Sequence, residues 1–231
     1  MDGIYEKKPW LKNYPEYVPH DLEMSDATAL SDFRNPVARK PDAPAVFYFD
    51  HTLSYGKIDQ LSDSLASALY SLGMRKGERM VVDLQNVPQF LVATYAAWKL
   101  GAIIVPLNPM YKERELIYFC QDSGAKILFT LDEIALNLDF SFLEKTEIEQ
   151  VIITSALDPL PQDMEVLDML KDKTKQPIPD TLDMMDLIEA HQGKSVEDPG
   201  VNPRDVAYLT YTSGTTGPPK GAMNTHGSIA F

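Results

Sequence analysis

Residues 211–223 bring together side chains whose types could bind a polyphosphate. Within it, residues 212–220 contain four hydroxyl side chains, two glycines and one lysine, namely Thr212, Ser213, Gly214, Thr215, Thr216, Gly217 and Lys220. Glycine permits positive φ and close backbone approach, so successive N–H groups can converge on an anion. The hydroxyls donate further hydrogen bonds, and the lysine adds a positive charge. We therefore predict a phosphate-binding loop over residues 212–220.

An apolar, β-rich run over residues 205–211 precedes this loop and predicts a buried strand. The loop does not have the spacing of P-loop NTPases, because Pro218 and Pro219 separate the second glycine from Lys220 and Gly221 follows the lysine. A surface turn rich in Gly, Pro and Thr is the simpler alternative, but turn chemistry does not require a lysine after the glycines. The spacing resembles instead the signature of the adenylate-forming superfamily, which includes acyl-CoA synthetases and peptide-synthetase adenylation domains.

A second stretch narrows this resemblance. It reads Trp98-Lys-Leu-Gly-Ala-Ile-Ile-Val-Pro-Leu-Asn-Pro-Met-Tyr111, followed by Glu113-Arg-Glu-Leu116 and Asp122-Ser-Gly-Ala-Lys126. The Asn-Pro-x-Tyr form with Arg-Glu-Leu after it is similar to acyl-CoA ligases for fatty acids rather than to amino-acid adenylation domains. Residues 9–15 also resemble the opening of bacterial long-chain acyl-CoA ligases.

The resemblance implies an ATP-dependent acid–thiol ligase that forms an acyl-adenylate from a fatty acid and then transfers the acyl group to CoA. ATP, Mg²⁺ and CoA are the implied cofactors and co-substrates. The loop from Thr212 to Gly217 would hold the phosphates together with Lys220, and the Thr212 hydroxyl would be a Mg²⁺ ligand. The adenine and ribose pockets, the acidic metal ligand and the lysine of the C-terminal domain are expected beyond Phe231. No catalytic residue is therefore expected here, and the chain alone is expected to be inactive.

The elements that position the loop follow from hydrophobic periodicity. Leucines and an isoleucine recur at three and four between Ser54 and Leu72, which predicts a helix that Gly73 ends. A strand over 80–84, a helix over 88–100, a strand over 102–105, a helix ended by Gly124 and a strand over 127–130 follow in order. This alternation predicts an α/β fold with a mostly parallel sheet flanked by helices. By resemblance, it is an incomplete N-terminal part of the adenylate-forming enzyme fold.

Residues 1–25 are predicted to be extended, and residues 26–40 to form a short helix interrupted at Asn35-Pro36. Short strands are predicted over residues 45–50 and 52–55, and a further strand over 151–154. Residues 155–204 are predicted to form an irregular excursion with helical stretches at 166–170 and 182–190. The chain is predicted to re-enter the sheet at Val206. A helix capped by Thr225 is predicted after the loop, and it stops within about one turn. We therefore expect residues 26–231 to be a partial α/β domain, truncated after the loop.

Two isolated side chains invite a functional interpretation. His226 could orient the loop or approach the acyl site, but a histidine in the first turn of a helix with a local hydrogen bond is the favoured interpretation. Cys120 is predicted to fill the core, like Phe90, Tyr95 and Trp98 on the preceding helix.

Composition limits the class of partner. The chain has 231 residues, of which 44% are hydrophobic, and a net charge of −13, which argues against nucleic acid or anionic lipid as a main partner. One cysteine excludes an intrachain disulfide framework, and the N-terminus lacks the apolar segment of a signal peptide. No apolar run approaches the ~18 residues of a membrane span. These features favour a cytoplasmic protein, with peripheral membrane association left open and self-association expected through an apolar face uncovered by truncation.

Two alternatives to a fatty-acid ligase stay open. One is another carboxylate-activating enzyme, such as an aryl-acid ligase or an adenylation domain. The other is a non-catalytic module that binds a nucleotide or pyrophosphate.

Overall fold

The computed structural model describes residues 3, 5–21, 25–161, 168–171, 173–212 and 217–231. The strands are β1 (Pro44–Tyr48), β2 (His51–Ser54), β3 (Arg79–Asp83), β4 (Ile103–Pro106), β5 (Ile127–Leu131), β6 (Gln150–Thr154), β7 (Leu182–Asp183), β8 (Val206–Thr212) and β9 (Lys220–Thr225). The α-helices are α1 (Ala29–Arg39), α2 (Tyr55–Ser71), α3 (Pro88–Lys99), α4 (Glu113–Ser123), α5 (Asp132–Ala135), α6 (Asp168–Lys171), α7 (Met184–Ala190) and α8 (His226–Ala230). Two 3-10 helices span Pro9–Asn13 and Phe140–Lys145.

Seven strands form one sheet in the order β7-β6-β5-β3-β4-β8-β9. Every neighbouring pair is parallel except β8 and β9, which are antiparallel. β1 and β2 form a separate two-stranded antiparallel hairpin. The predicted fold class, a mostly parallel sheet flanked by helices, is therefore confirmed. The antiparallel strand β9 was not predicted, because Lys220–Thr225 carries no alternating apolar pattern.

Local sequence signals explain the helix boundaries. Ser54 caps α2, where its Oγ accepts a hydrogen bond of 3.2 Å from the Lys57 amide. Gly124 ends α4 in the left-handed conformation, with φ of +56°, and a Cβ at this position would lie 2.6 Å from Nη2 of Arg79. The positive φ favours glycine there, and a Cβ would also require the guanidinium of Arg79 to shift. Thr225 caps α8, as predicted, and accepts a hydrogen bond of 3.2 Å from the Ser228 amide.

The predicted interruption of the first helix at Asn35-Pro36 is wrong, because α1 continues through Pro36 to Arg39. Proline lacks an N–H and costs about 3 kcal/mol inside a helix. Burial on the N-terminal side of Pro36 offsets this cost: Phe33 is buried and its ring stacks on Tyr95 with centroids 3.6 Å apart. The Pro36 carbonyl still accepts a hydrogen bond of 2.8 Å from the Lys40 amide.

Two segments expected to be irregular contain additional regular structure. The N-terminal segment predicted as extended includes the 3-10 helix Pro9–Asn13. In the excursion over 155–204, Leu182–Asp183 pairs with β6 and adds an unpredicted edge strand before α7 begins. α6 overlaps the predicted stretch 166–170 at residues 168–170 and extends to Lys171, while residues 166 and 167 lie outside the described residues.

Helices cover both faces of the sheet and create two cores. α1, α2, α3 and α7 pack on one face, where Leu65, Leu69 and Met80 are fully buried. α4 and the 3-10 helix Phe140–Lys145 pack on the other face around Phe119, Phe142 and the buried Cys120. All five residues of β5 are buried, as a strand covered on both sides requires. Within the described part of the chain, no helix has both the length and the apolar character needed to cross a bilayer.

Candidate functional site

The carboxyl edge of the sheet is where the predicted phosphate loop lies. β3, β4, β5, β6 and β8 run in the same direction, so their C-terminal ends share this edge. Open α/β sheets bind ligands in the crevice outside the carboxyl ends of their strands. The loop therefore leaves the sheet on the side where this architecture places ligand sites.

The ends of the loop are fixed by a β-hairpin. Thr212 is the last residue of β8 and Lys220 the first residue of β9, and the two form a cross-strand pair. Both side chains are exposed, as is Gly217. The structure thus brings the predicted hydroxyl and ammonium groups to the same end of one hairpin. Ser213, Gly214, Thr215 and Thr216 lie outside the described residues.

Helix α4 holds both arms of the hairpin. The Tyr118 hydroxyl donates a hydrogen bond of 2.7 Å to the carbonyl of Pro219, the residue before Lys220. The Tyr211 hydroxyl donates a hydrogen bond of 2.6 Å to Oδ2 of Asp122. One bond fixes the entry to β9, and the other fixes the end of β8 just before Thr212. The backbone on each side of the loop is therefore positioned by side chains of one helix.

Packing reinforces these two hydrogen bonds. The Tyr211 ring is 9% exposed, and its centroid lies 4.7 Å from that of Phe119. Burial, with the neighbouring Asp122 carboxylate, holds the pKa of Tyr211 well above its ordinary value, so the phenol keeps its proton and continues to donate. Residues 122–126 belong to the second motif, but the sequence alone indicates no role for Tyr118 or Asp122. Spacing along the chain does not reveal a contact between a helix and a distant hairpin. The one signal that connects α4 with the hairpin is that both motifs resemble the same superfamily.

Close packing also explains the glycine after Lys220. A Cβ on Gly221 would lie 2.9 Å from Cδ1 of Leu209 on the facing strand. A larger residue would push β9 away from β8 and displace Lys220 with it. A Cβ on Gly217 would meet no atom of the described residues within 4 Å, so close packing does not explain that glycine.

The electrostatics suit an anion rather than a metal bound by protein carboxylates. Among the described residues, Lys220 has no acidic partner within the 4.0 Å limit of an ion pair. These residues also contain no group of three or more His, Cys, Asp or Glu side chains that could hold a metal ion. Mg²⁺ commonly keeps several waters and takes one or two protein ligands plus phosphate oxygens. A single hydroxyl such as that of Thr212 fits this kind of site, in which waters and phosphate oxygens supply the other ligands.

His226 lies far from the loop, at the opposite end of the hairpin. It follows Thr225, the residue of β9 that pairs with Val206 at the start of β8. Its ring is fully buried against Trp98, with centroids 5.1 Å apart, and neither ring nitrogen has a hydrogen-bond partner in the described structure. The favoured structural interpretation of His226 is confirmed, but the local hydrogen bond expected for its ring is absent. Cys120 is fully buried in the second core, as predicted.

The whole chain is similar to known ligases. The sequence model described as AMP-binding enzyme matches residues 33–231. A long-chain-fatty-acid–CoA ligase of Bacillus subtilis is 34% identical over 98% of this chain, which spans 41% of that protein. A crystal structure of a long-chain-fatty-acid-CoA ligase from Archaeoglobus fulgidus is 26% identical, has a TM-score of 0.66, and matches 92% of this chain but 40% of its own.

A second solved structure supports the fold. The crystal structure of the anthranilate CoA ligase AuaEII in complex with anthranoyl-AMP has a TM-score of 0.74 and 23% identity, covering 90% of this chain and 36% of its own. The chain thus spans about two fifths of the length of the relatives it matches. The family match over residues 33–231 therefore shows that this chain belongs to the AMP-binding enzyme family.

Proposed function

We propose that the whole protein is an ATP-dependent fatty-acid–CoA ligase and that this chain supplies its pyrophosphate-binding side. The observation that carries the proposal is the pair formed by Thr212 and Lys220 at the open end of a hairpin that α4 anchors. An exposed ammonium and a hydroxyl on opposite arms can bind a chain of phosphate oxygens from two sides. The fatty-acid substrate is proposed from the names of the relatives.

The reaction proceeds in two balanced steps. A carboxylate oxygen of the fatty acid attacks the α-phosphorus of ATP, and the bond from that phosphorus to the bridging oxygen breaks, so pyrophosphate leaves. The CoA thiolate then attacks the acyl carbon, and AMP leaves with the electrons of the broken C–O bond. Negative charge develops on the departing pyrophosphate in the first step, so fixed donors at that position lower the barrier.

Each residue of the site has a defined task in this scheme. The Lys220 ammonium would stabilise the departing pyrophosphate, and the hydroxyl of Thr212 would bind a phosphate oxygen or hold Mg²⁺. By the proposal, residues 213–217 would hold the β- and γ-phosphates. Mg²⁺, when bound, neutralises charge on the phosphate oxygens. Tyr118 and Asp122 act as positioning residues, since each is hydrogen-bonded to the hairpin that carries Thr212 and Lys220.

ATP–pyrophosphate exchange with a panel of fatty acids, carried out on the full-length protein, tests the proposal. We expect Lys220→Ala to lower the exchange rate about 100-fold, because removing one donor from a site of developing charge has an effect of this size. Lys40→Ala removes an exposed lysine at the end of α1 and serves as the matched control, with no change expected. Equal rates for Lys220→Ala and Lys40→Ala would refute the assignment of the loop.

A second experiment addresses the 231-residue chain itself. We expect it to bind pyrophosphate but to give no exchange, because the groups that grip adenine and ribose are proposed to lie outside it and a displacement of about 1 Å can cost ~100-fold in rate. Robust exchange by this chain would show that it contains a complete site. Pyrophosphate binding without exchange by the full-length protein, with any acid tested, would favour a non-catalytic binding module.

Another carboxylate-activating reaction is the second candidate. It is included because an anthranilate CoA ligase shares this fold, with a TM-score of 0.74, so the fold alone does not separate aryl acids from fatty acids. Inclusion of aryl acids in the same exchange panel separates the two: the higher exchange rate identifies the substrate class. We also propose a cytoplasmic location, where ATP and CoA are both available.

A further inference from the structure

Arg114 is a basic residue in the first turn of α4, the helix that anchors the hairpin. It is exposed and, among the described residues, has no acidic partner within the 4.0 Å limit of an ion pair. An exposed guanidinium that no carboxylate neutralises is free to bind an anion. Its place along the hairpin decides whether the phosphates are within its reach.

Two hydrogen bonds fix how α4 lies along the hairpin. The Asp122 carboxylate accepts from the hydroxyl of Tyr211, a residue that pairs with Gly221 on the other arm. One turn closer to the start of the helix, the Tyr118 hydroxyl donates to the carbonyl of Pro219. Pro219 lies two residues closer to the loop than Gly221. The helix therefore runs alongside the hairpin with its N-terminus towards the loop.

The spacing of these contacts places Arg114 beside the loop. Residues 114, 118 and 122 are separated by four and lie on one stripe of the helix. Four residues of helix rise about 6 Å, and two residues of extended chain rise about 6.6 Å. Each turn of α4 thus corresponds to two residues of the hairpin arm. One further turn from Tyr118 brings Arg114 to the end of the hairpin, near Gly217.

Arg114 and Lys220 lie on opposite faces of the hairpin. Tyr211 is buried in the core that α4 covers. Because side chains alternate along a strand, Thr212 and its cross-strand partner Lys220 point to the other face. A Cβ on Gly217 would meet no described atom within 4 Å, so the approach from the α4 side is open. A phosphate chain that Lys220 holds from one face is therefore accessible to a second cation from the other.

From this geometry we propose that Arg114 is a second phosphate-binding residue of the hairpin site, on the face opposite Lys220. It donates paired N–H groups to phosphate oxygens of pyrophosphate or of a nucleoside triphosphate. This role rests on the function proposed for the loop, and it adds a selectivity. An anion with two linked phosphate groups contacts both cations, whereas a single phosphate contacts one.

Inorganic pyrophosphate and inorganic phosphate form a matched pair of probes, because they differ in the number of linked phosphate groups. Calorimetric titration of the 231-residue chain measures both affinities. We expect Arg114→Gln to weaken pyrophosphate binding about tenfold and phosphate binding less than about twofold, since one of two charged contacts is lost. Arg114→Lys keeps the charge but loses the paired donors, so pyrophosphate binding should weaken about threefold. Arg39→Gln, at an exposed position in the last turn of α1, is the matched control.

Three results would overturn the role of Arg114. One is an equal loss of affinity for both probes in Arg114→Gln, which would indicate a structural effect. Another is a pyrophosphate affinity of Arg114→Gln equal to that of Arg39→Gln. The third is undetectable pyrophosphate binding by the folded wild-type chain. Because residue 114 is exposed and glutamine favours helix, the variant is expected to fold.

ATP–pyrophosphate exchange by the full-length protein separates this proposal from the proposed function. Exchange that Lys220→Ala impairs, but that Arg114→Gln leaves at the rate of Arg39→Gln, refutes the role of Arg114 alone. Absence of exchange in the wild type, together with pyrophosphate binding that depends on Arg114, refutes the ligase function and supports the second cation.

Discussion

Asp83 should make the fold less stable as the pH rises, and replacing it with asparagine should remove this effect. The carboxyl group lies at the end of β3, is 4% exposed, and has one weak contact, 3.5 Å from Oγ1 of Thr130 to its Oδ2. Its Oδ1 has no hydrogen-bond partner among the described residues. Burial therefore raises the pKa of Asp83 from 3.8 to about 6, because no cation compensates for the lost hydration of the carboxylate.

The sign and size of the effect follow from this shift. Below pH 4 the carboxyl is protonated in both the folded and the unfolded chain, and the full stability is present. Between pH 4 and 6 the unfolded chain loses the proton first, so the free energy of unfolding falls as the pH rises. Above pH 6 the loss is complete and amounts to about 3 kcal/mol, at 1.36 kcal/mol per pKa unit.

Urea unfolding of wild type and Asp83→Asn at pH 4, 5, 6 and 7.5, followed by circular dichroism, measures the difference. We expect the variant to be of equal stability at pH 4 and about 3 kcal/mol more stable at pH 7.5. Other carboxyl groups titrate in the same range, but their contributions cancel in the comparison. Asp42→Asn, at an exposed position, is the matched control. A stability difference that does not change with pH, or a variant less stable than wild type at pH 7.5, would refute the reasoning.

Four further predictions address the hairpin and its supports. Burial lowers the pKa of His226 to about 4, so the unfolded chain takes up the proton first as the pH falls below 6.5 and the wild type loses stability. Between pH 7.5 and pH 4, His226→Phe should therefore lose about 3 kcal/mol less unfolding free energy than wild type. Urea titrations at pH 4 and 7.5 check this. Gly221→Ala should cost about 1–2 kcal/mol in the same assay, because its Cβ would crowd Leu209. Tyr118→Phe should weaken pyrophosphate binding severalfold by calorimetry while leaving the unfolding free energy within about 1 kcal/mol; unchanged affinity would contradict the positioning role. Because β9 is an edge strand of the described sheet and Met223 is 73% exposed, the chain should self-associate in light scattering, and Met223→Lys should reduce this.

The sequence predicts those parts of the fold that local signals determine. The apolar residues of α2 repeat along the helix itself, and the signals at Ser54, Gly124 and Thr225 each lie within one turn of the helix end. Their positions could therefore be predicted. Pro36 misled the prediction because stacking of Phe33 on Tyr95, a contact between distant residues, holds the helix together.

The candidate site divides in the same way. The types and spacing of the hydroxyls, glycines and Lys220 predict a phosphate site, but they do not predict the hairpin that makes Lys220 the partner of Thr212. Strand β9 is short, polar and at the edge, and it forms because β8 offers it a template of backbone groups. Tyr118 and Asp122 gain their roles only when α4 packs against that hairpin, and no pattern along the chain encodes this contact.

Strand β9 also connects the loop to the buried region around Trp98. It contains six residues, so it extends about 20 Å at about 3.3 Å per residue, from Lys220 at the loop to His226 against Trp98. Trp98 is tied to β8 by a hydrogen bond of 3.1 Å from Nε1 to the Ala207 carbonyl. A ligand that draws Lys220 towards Thr212 would change the twist of the hairpin. Because β9 is a single continuous strand, this change would reach the indole ring of Trp98. The chain has two tryptophans, so in a Trp10→Phe background the fluorescence of Trp98 should serve as an optical reporter of phosphate binding at the far end of the hairpin.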